Sequence, residues 1–186
     1  IEVLNGTTSV AKNTVSWSDG SSHLVEYDPK NNAFVTSNTD GTPIKATMVR
    51  LLNFGSDNLI VSEMQIFDKA GTNIALAGTA RLSSTHHPDW AAKHANDGNL
   101  TNTAHSKAGA GGGQHLDIDL GGEKEVASVV IINRVSDVPS RVQMHLSVVQ
   151  FFNGDNVVLS TPPIPDGNKA KYEYKVGEHL NRWTMT

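Results

Sequence analysis

The sequence predicts an all-β protein, built as a two-sheet jelly-roll β-sandwich. Runs of alternating or β-branched residues recur along most of the chain, and turn-forming dipeptides separate them. Helix signals are scarce. The best amphipathic stretch, DWAAKHAN at 89–96, is only about two turns long, with Pro88 as its start signal. Several short strands at close spacing are typical of a sandwich or barrel.

The predicted strands follow from the alternation of apolar and polar residues. They are HLVEYD (23–28), NAFVTS (32–37), ATMVRLLNF (46–54), VSEMQIFD (61–68), QHLDIDL (114–120), VASVVIINR (126–134), VQMHLSVVQFF (142–152), NVVLST (156–161) and YEYKV (172–176). The nearly continuous apolar run VASVVII predicts a strand buried on both faces. The segment FFNGDNVV predicts a hairpin with Asn153-Gly154 at its tip.

The first part of the chain differs in composition from the rest. Residues 1–46 are rich in Ser, Thr, Asn and Asp, and VEYDPKNNAFV within them predicts a hairpin. This N-terminal, β-rich extension either packs on the sandwich or is the end of a preceding domain. The main sandwich is then expected at residues 47–186.

Composition excludes several classes of function. The chain has 186 residues, of which 38% are hydrophobic and 18% charged, in the ordinary range for a globular domain. The net charge is −4 and there is no basic run, so no nucleic-acid partner is expected. No stretch approaches the roughly 20 apolar residues of a membrane-spanning helix. The absence of cysteine excludes disulfides and thiolate metal sites.

Several segments occur in an order that is known from other proteins. They are NLIVSEMQIFDKAGTNIALAGTARLSST, HANDGNLTNTAHS, HLDIDLG and VASVVIINRVSDVPSRV. In this order, across residues 47–176, they resemble discoidin domains, the coagulation-factor C-type family. The resemblance implies a galactose-binding-domain-like jelly roll, of a kind also found in large algal viruses.

Within that superfamily the functional pattern is most similar to that of the F-type, fucose-binding lectins. Their histidine and two basic residues correspond here to His105, Arg134 and Arg141. The acidic position of that pattern falls on Ser136, with Asp137 beside it, and the cysteine pair usual between the two arginines is missing. The resemblance implies a polar rim that binds a saccharide of the fucose or galactose type.

The chemistry of these side chains suits a sugar. Arg134 and Arg141 offer planar forks of donors, and a neutral His105 offers one donor and one acceptor. Asp137 can orient a guanidinium or accept from a hydroxyl, and the ring of Trp90 can cover the apolar face of a sugar. Two plainer interpretations stay open: the arginines pair with Asp137 on a solvated rim, or Trp90 fills the core beneath the short helix.

The loop HANDGNLTNTAH, at 94–105, concentrates oxygen ligands. The resemblance implies a structural Ca²⁺ bound by the carboxylates of Asp97 and Glu63, the carbonyls of His94 and Asn99, and an oxygen of Asn102 or a nearby residue. Ca²⁺ prefers six to eight such oxygens. The alternative is an Asx turn, in which Asp97 accepts from its own backbone and no metal is bound.

Catalysis and transition-metal binding are not expected. Asp117 and Asp119 share a strand face like the carboxylate pair of a glycosidase, but Asp119 is expected to close the turn at Leu120-Gly121 instead. There is no nucleophile motif. The histidines lack the close spacing of a zinc site, and His86 and His87 are interpreted as loop residues.

The sequence thus predicts a non-catalytic, lectin-like module that is stabilised by calcium. Its expected location is extracellular, or on a virion or cell surface. The second hypothesis is a structural or adhesive module that contacts protein partners in a larger assembly and binds no sugar. Membrane docking ranks third, because the loops STHHPDW and KAGAGGG expose little apolar surface beyond Trp90.

Overall fold

The structure, a computed structural model, describes residues 2–5, 8–12, 23–28, 33–38, 43–54, 58–107, 113–135, 143–177 and 183–186. Its centre is a β-sandwich of two antiparallel five-stranded sheets. The first sheet has the order β14-β13-β10-β6-β8: Thr184–Met185, Lys171–Lys175, Ser128–Asn133, Ile60–Phe67 and Ala104–His105. The second has the order β12-β11-β5-β9-β7: Asn156–Ser160, Val148–Asn153, Ile44–Asn53, Gln114–Val126 and Thr79–Leu82.

Consecutive strands from β5 to β10 alternate between the two sheets. Each connection therefore crosses from one sheet to the other at an end of the sandwich. Binding residues are often carried by loops that a rigid scaffold positions. The last residues of β5, β8 and β10 lie at one end of the sandwich, close to the start of β6.

Apolar side chains from both sheets meet in one core. Val49, Ile118 and Phe151 come from the second sheet, and Ile66 and Tyr172 from the first, and all are fully buried. Burial of one such side chain contributes roughly 1.5–3 kcal/mol. The inward alternation along the strands therefore fixes which face of each sheet points to the core.

The central strand β10 confirms the prediction from VASVVII. It lies between β13 and β6, and its successive residues Val129, Val130 and Ile131 are all buried. The predicted hairpin at FFNGDNVV is also confirmed. Asn153 pairs with Asn156, and Gly154, with φ of +59°, lies in the two-residue turn.

The N-terminal region contains two strand pairs. Strands β3, His23–Asp28, and β4, Ala33–Asn38, form the antiparallel hairpin that the sequence predicts, and β4 lies beside β12. Strands β1, Glu2–Asn5, and β2, Thr8–Lys12, form a second pair, which was not predicted. The sandwich strand β5 begins at Ile44, slightly before the expected boundary at residue 47.

Three local predictions were wrong. The strand expected at 142–152 begins only at Val148, and residues 143–146 form a helical turn and a turn instead. The stretch 89–96 is not an amphipathic helix but parts of two 3-10 helices, Pro88–Trp90 and Ala92–Ala95, separated by the extended Ala91 (ψ 154°). An isolated stretch of about two turns is too short to be stable as an α-helix. The predicted turn at Gly121-Gly122 is an irregularity inside β9, where both glycines adopt positive φ and the chain continues as a strand.

A third 3-10 helix spans Ile74–Ala77. Over the described part of the chain, none of the helices has the length and apolar character needed to cross a membrane.

Candidate ligand site at one end of the sandwich

Neighbouring strands of the first sheet bring three segments to the same end. Strand β6 begins at Ile60, which pairs with His105, the last residue of β8. Strand β10 ends at Asn133, which pairs with Val61, and Arg134 follows directly. His105 and Arg134, which lie far apart in the sequence, therefore meet at the start of β6.

Three aromatic rings form a stacked group there. The ring centroids of His86 and His105 are 4.7 Å apart at an interplanar angle of 15°. Trp90 lies 5.1 Å from His86 and 5.2 Å from His105. Trp90 is 39% exposed, so it does not fill the core beneath a helix. The exposed part of this ring group is an apolar surface of the kind to which the C–H face of a sugar binds.

His105 is held as a neutral imidazole. Burial, the nearby His86 and the charge of Arg134 lower its pKa to about 4. Its Nε2 lies 2.7 Å from Nδ2 of Asn58, a residue that is 6% exposed. At neutral pH the ring is therefore uncharged and hydrogen-bonded on one side.

Arg134 is the second expected binding residue in this region. Its side chain is half-buried, its backbone N–H donates to Oδ1 of Asn133 at 2.8 Å, and its charge reaches His105. The expected partners Asp137 and Arg141 lie outside the described residues. The structure thus brings three of the five expected ligand-binding residues to one end: His105, Trp90 and Arg134.

The loop 94–105 contacts β6 through Glu63. The Glu63 carboxylate is fully buried, and its Oε1 accepts from the backbone N–H of Gly98 at 3.0 Å. Burial raises the pKa of Glu63, and the neighbouring charge of Asp97 raises it further. Hydrogen bonds from the backbone of Gly98 and Asp97 lower the pKa, but the net shift is upward. The two carboxylates expected to share a cation are therefore neighbours.

The same loop contains the Asx turn of the alternative interpretation. Oδ1 of Asp97 accepts from the backbone N–H of Asn99 at 2.8 Å, and Oδ2 accepts from Nδ2 of Asn102 at 2.8 Å. Nδ1 of His94 lies 3.2 Å from that second oxygen. Although burial raises the pKa of Asp97, these hydrogen bonds outweigh it and leave the pKa below its usual value. Oδ1 of Asn99 in turn accepts from the backbone N–H of Thr101 at 3.0 Å.

Two oxygens in this loop region provide a test of whether a cation fits. Oε2 of Glu63 and Oδ1 of Asn102 are buried and have no hydrogen-bond partner among the described residues. Buried oxygens without a partner cost free energy, and oxygen is the ligand atom that Ca²⁺ prefers. Among the described residues, no three histidine or acidic side chains are grouped so that they could hold a metal ion. The two unpartnered oxygens suit a hard, oxygen-preferring cation, which accepts amide and carboxylate oxygens alike.

Sequence reasoning missed one member of the ring group and one residue that contacts it. His86 was interpreted as an ordinary loop residue, yet it stacks on both His105 and Trp90. Asn58 received no role, because its partner His105 is 47 positions away and no local pattern connects them. The density of histidines around Trp90 was the only signal, and it pointed to no specific contact.

The paired carboxylates of β9 have other partners. Asp117 receives two hydrogen bonds from the guanidinium of Arg50, at 2.7 and 2.8 Å. Asp119 accepts from the backbone N–H of Gly121 at 2.9 Å, as expected from its place before Leu120-Gly121. Both side chains thus act within the sheet.

Comparisons with known proteins found no match among protein-family models, curated proteins or solved structures.

Proposed function

We propose that this protein is a non-catalytic carbohydrate-binding module, lectin-like and stabilised by calcium, that acts in surface recognition or attachment. In this proposal the two-sheet sandwich is a jelly roll of the galactose-binding type, as the resemblance to discoidin domains implies. The ligand is a glycan with a fucose- or galactose-type sugar. The location is extracellular, or on a virion or cell surface.

The observation that supports this proposal is the ring group beside Arg134. Trp90 is partly exposed and stacks against His86 and His105, which leaves an apolar surface for the C–H face of a sugar. The guanidinium of Arg134 offers hydrogen-bond donors without an acceptor, which suits the oxygens of a polyol. An apolar surface with a few fixed polar groups is the usual composition of a small-molecule site.

Calcium has a structural role in the proposal. Glu63, Asp97 and Asn102 would hold the ion, together with the carbonyls of His94 and Asn99. When bound, Ca²⁺ would supply positive charge between two neighbouring carboxylates and partners for buried oxygens. The chain's own contribution is to attach the loop 94–105 to β6, which keeps the segment ending at His105 in place.

A glycan array tests the proposal directly. Trp90→Ala should weaken glycan binding about 3- to 10-fold, because the ring contributes about 0.5–1.5 kcal/mol. Arg134→Ala should weaken binding about 10- to 100-fold, as expected for hydrogen bonds to a charged group. Arg81→Ala is the matched control, because Arg81 is exposed on β7 and should leave binding unchanged. Normal glycan binding by both Trp90→Ala and Arg134→Ala would contradict the placement of the sugar site at these residues.

One observation favours the second hypothesis, a structural or adhesive module that contacts proteins. Phe54, Val135 and Leu146 are exposed on the loops near the same end, at 44%, 41% and 47%. Exposed apolar residues close together are typical of protein contact sites. In that case no glycan on the array binds the protein. The chain self-associates in sedimentation experiments, and Leu146→Ser weakens that association.

A further inference from the structure

Asn58 lies two residues before the start of β6, at the edge of the proposed sugar site. Its Nδ2 is 2.7 Å from Nε2 of His105, which is a short distance for a hydrogen bond between two nitrogens. Asn58 is 6% exposed, so water has little access to this contact. A contact of this length between two shielded side chains holds both in a defined geometry.

The backbone around Asn58 is itself held from both sides. Nδ2 of Asn53 donates to the carbonyl of Asn58 at 2.9 Å. The next residue, Leu59, donates its N–H to Oγ of Ser106 at 2.8 Å and accepts from the N–H of Ser106 at 2.9 Å. The side chain of Asn58 therefore starts from a backbone that is already fixed against β8.

The imidazole of His105 cannot turn freely against its neighbours. His86 stacks on it at 4.7 Å and 15°, and Trp90 lies 5.2 Å away at 41°. A 180° rotation of the ring, which would move Nε2 away from Asn58, would have to pass between these two surfaces. Stacking fixes the plane of the ring, and the contact with Asn58 shows that Nε2 is the nitrogen that faces the protein.

We propose that Asn58 is a positioning residue that makes His105 a hydrogen-bond donor, and only a donor, toward the ligand. This inference rests on the proposed sugar site. The side-chain N–H of Asn58 donates to Nε2, so the proton of the neutral ring is carried by Nδ1. Nδ1 has no hydrogen-bond partner among the described residues and is the nitrogen left for a ligand.

This assignment restricts the ligand more than the sequence does. The sequence allows His105 one donor and one acceptor, but the acceptor is already used by Asn58. Arg134 also has donors only. Between them the two residues require two oxygen acceptors on the saccharide, hydroxyl or ring oxygens, and they offer nothing to a ligand group that can only donate.

The tautomer of His105 can be measured without any ligand. Long-range ¹H–¹⁵N correlation spectra of the ¹⁵N-labelled full chain at pH 7 show which ring nitrogen carries the proton. His105→Asn identifies the signals of His105 among those of the 8 histidines. We expect the proton on Nδ1 in the native protein. A proton on Nε2 overturns the proposal.

Two variants of Asn58 complete the test. In Asn58→Asp the carboxylate can only accept, so the proton should move to Nε2. In Asn58→Leu the preference for Nδ1 should be lost, and glycan binding should weaken about 10-fold. Ser106→Ala is the control, because it removes a neighbouring hydrogen bond without touching the imidazole, and it should keep the proton on Nδ1.

The outcomes separate this inference from the proposed function. A proton on Nδ1 together with a blank glycan array supports the role of Asn58 and removes the sugar site. Glycan binding together with an unchanged tautomer in Asn58→Asp supports the sugar site and overturns the role of Asn58. If Asn58→Leu fails to fold, the native protein and Asn58→Asp still decide the question.

Discussion

The carboxylate of Glu63, fully buried in β6, accepts a hydrogen bond from the backbone N–H of Gly98, a residue 35 positions away. This contact attaches the loop 94–105 to the sheet that carries His105. One oxygen of Glu63 is used in the contact, and the other, Oε2, is buried without a partner among the described residues. A buried acid beside a second acid is a costly arrangement unless a proton or a cation accompanies it.

We expect Ca²⁺ to raise the melting temperature of the protein. A ligand that binds only the folded state stabilises it by about 2.7 kcal/mol at a concentration 100 times its dissociation constant. Calorimetric melts with Ca²⁺ and with EGTA measure the difference. Glu63→Gln removes the charge but keeps the shape, so it should abolish the response to Ca²⁺. Equal melting temperatures for the native protein in both conditions would favour the Asx turn without a metal.

Gly98→Ala should destabilise the protein by about 1–2 kcal/mol, because Gly98 has φ of +78°, in the left-handed region. Gly71→Ala provides the matched control. Gly71 has φ of +80° in a turn away from Glu63, and a Cβ there meets no atom within 4 Å. We expect a similar loss of stability from both substitutions in urea denaturation. Only Gly98→Ala should also weaken Ca²⁺ binding, and an equal effect of both on the metal would contradict the role of the loop.

His105 should titrate with a pKa of about 4 in the folded protein, well below its usual value of 6.5. Because the folded-state pKa is lowered, its neutral form stabilises the protein fully above pH 6.5. That contribution is lost as the pH falls through about 4. Glycan binding should follow the same titration, since a protonated ring no longer accepts from Asn58. NMR titration of His105 gives the midpoint, and a midpoint near 6.5 would show that the ring is not shielded as described.

Arg50→Ala should destabilise the sandwich by about 1–3 kcal/mol. Its guanidinium makes two hydrogen bonds to Asp117 across β5 and β9, and it lies 5.1 Å from the ring centroid of Phe152. Lys45→Ala is a suitable control. Lys45 pairs with Glu123 at 3.1 Å on the surface, where both side chains are exposed, and its removal should have no measurable effect in urea denaturation. Equal losses for both would show that the Arg50 pair is no stronger than a surface pair.

Local sequence patterns were sufficient for most of the strands. The apolar run of β10 reflects burial on both faces, and the Asn-Gly dipeptide marks the turn between β11 and β12. Such features depend on residues that are neighbours in the chain, so they can be read from the sequence. Within the sandwich, strands β7, β8 and β14 were missed, because segments of 4, 2 and 2 residues are too short to show a period.

The sequence by itself determined the β class of the protein, the hairpins β3–β4 and β11–β12, and the candidate loop with its oxygen-rich side chains. Only the tertiary structure decided that Asn58 contacts His105, that His86 joins Trp90 in one ring group, and that Arg50 forms an ion pair with Asp117. These contacts depend on which strands lie side by side and in which register, and register is set by packing of the whole core. A local pattern contains no information on that alignment, so residues such as Asn58 are recognised only after the sheets are assembled.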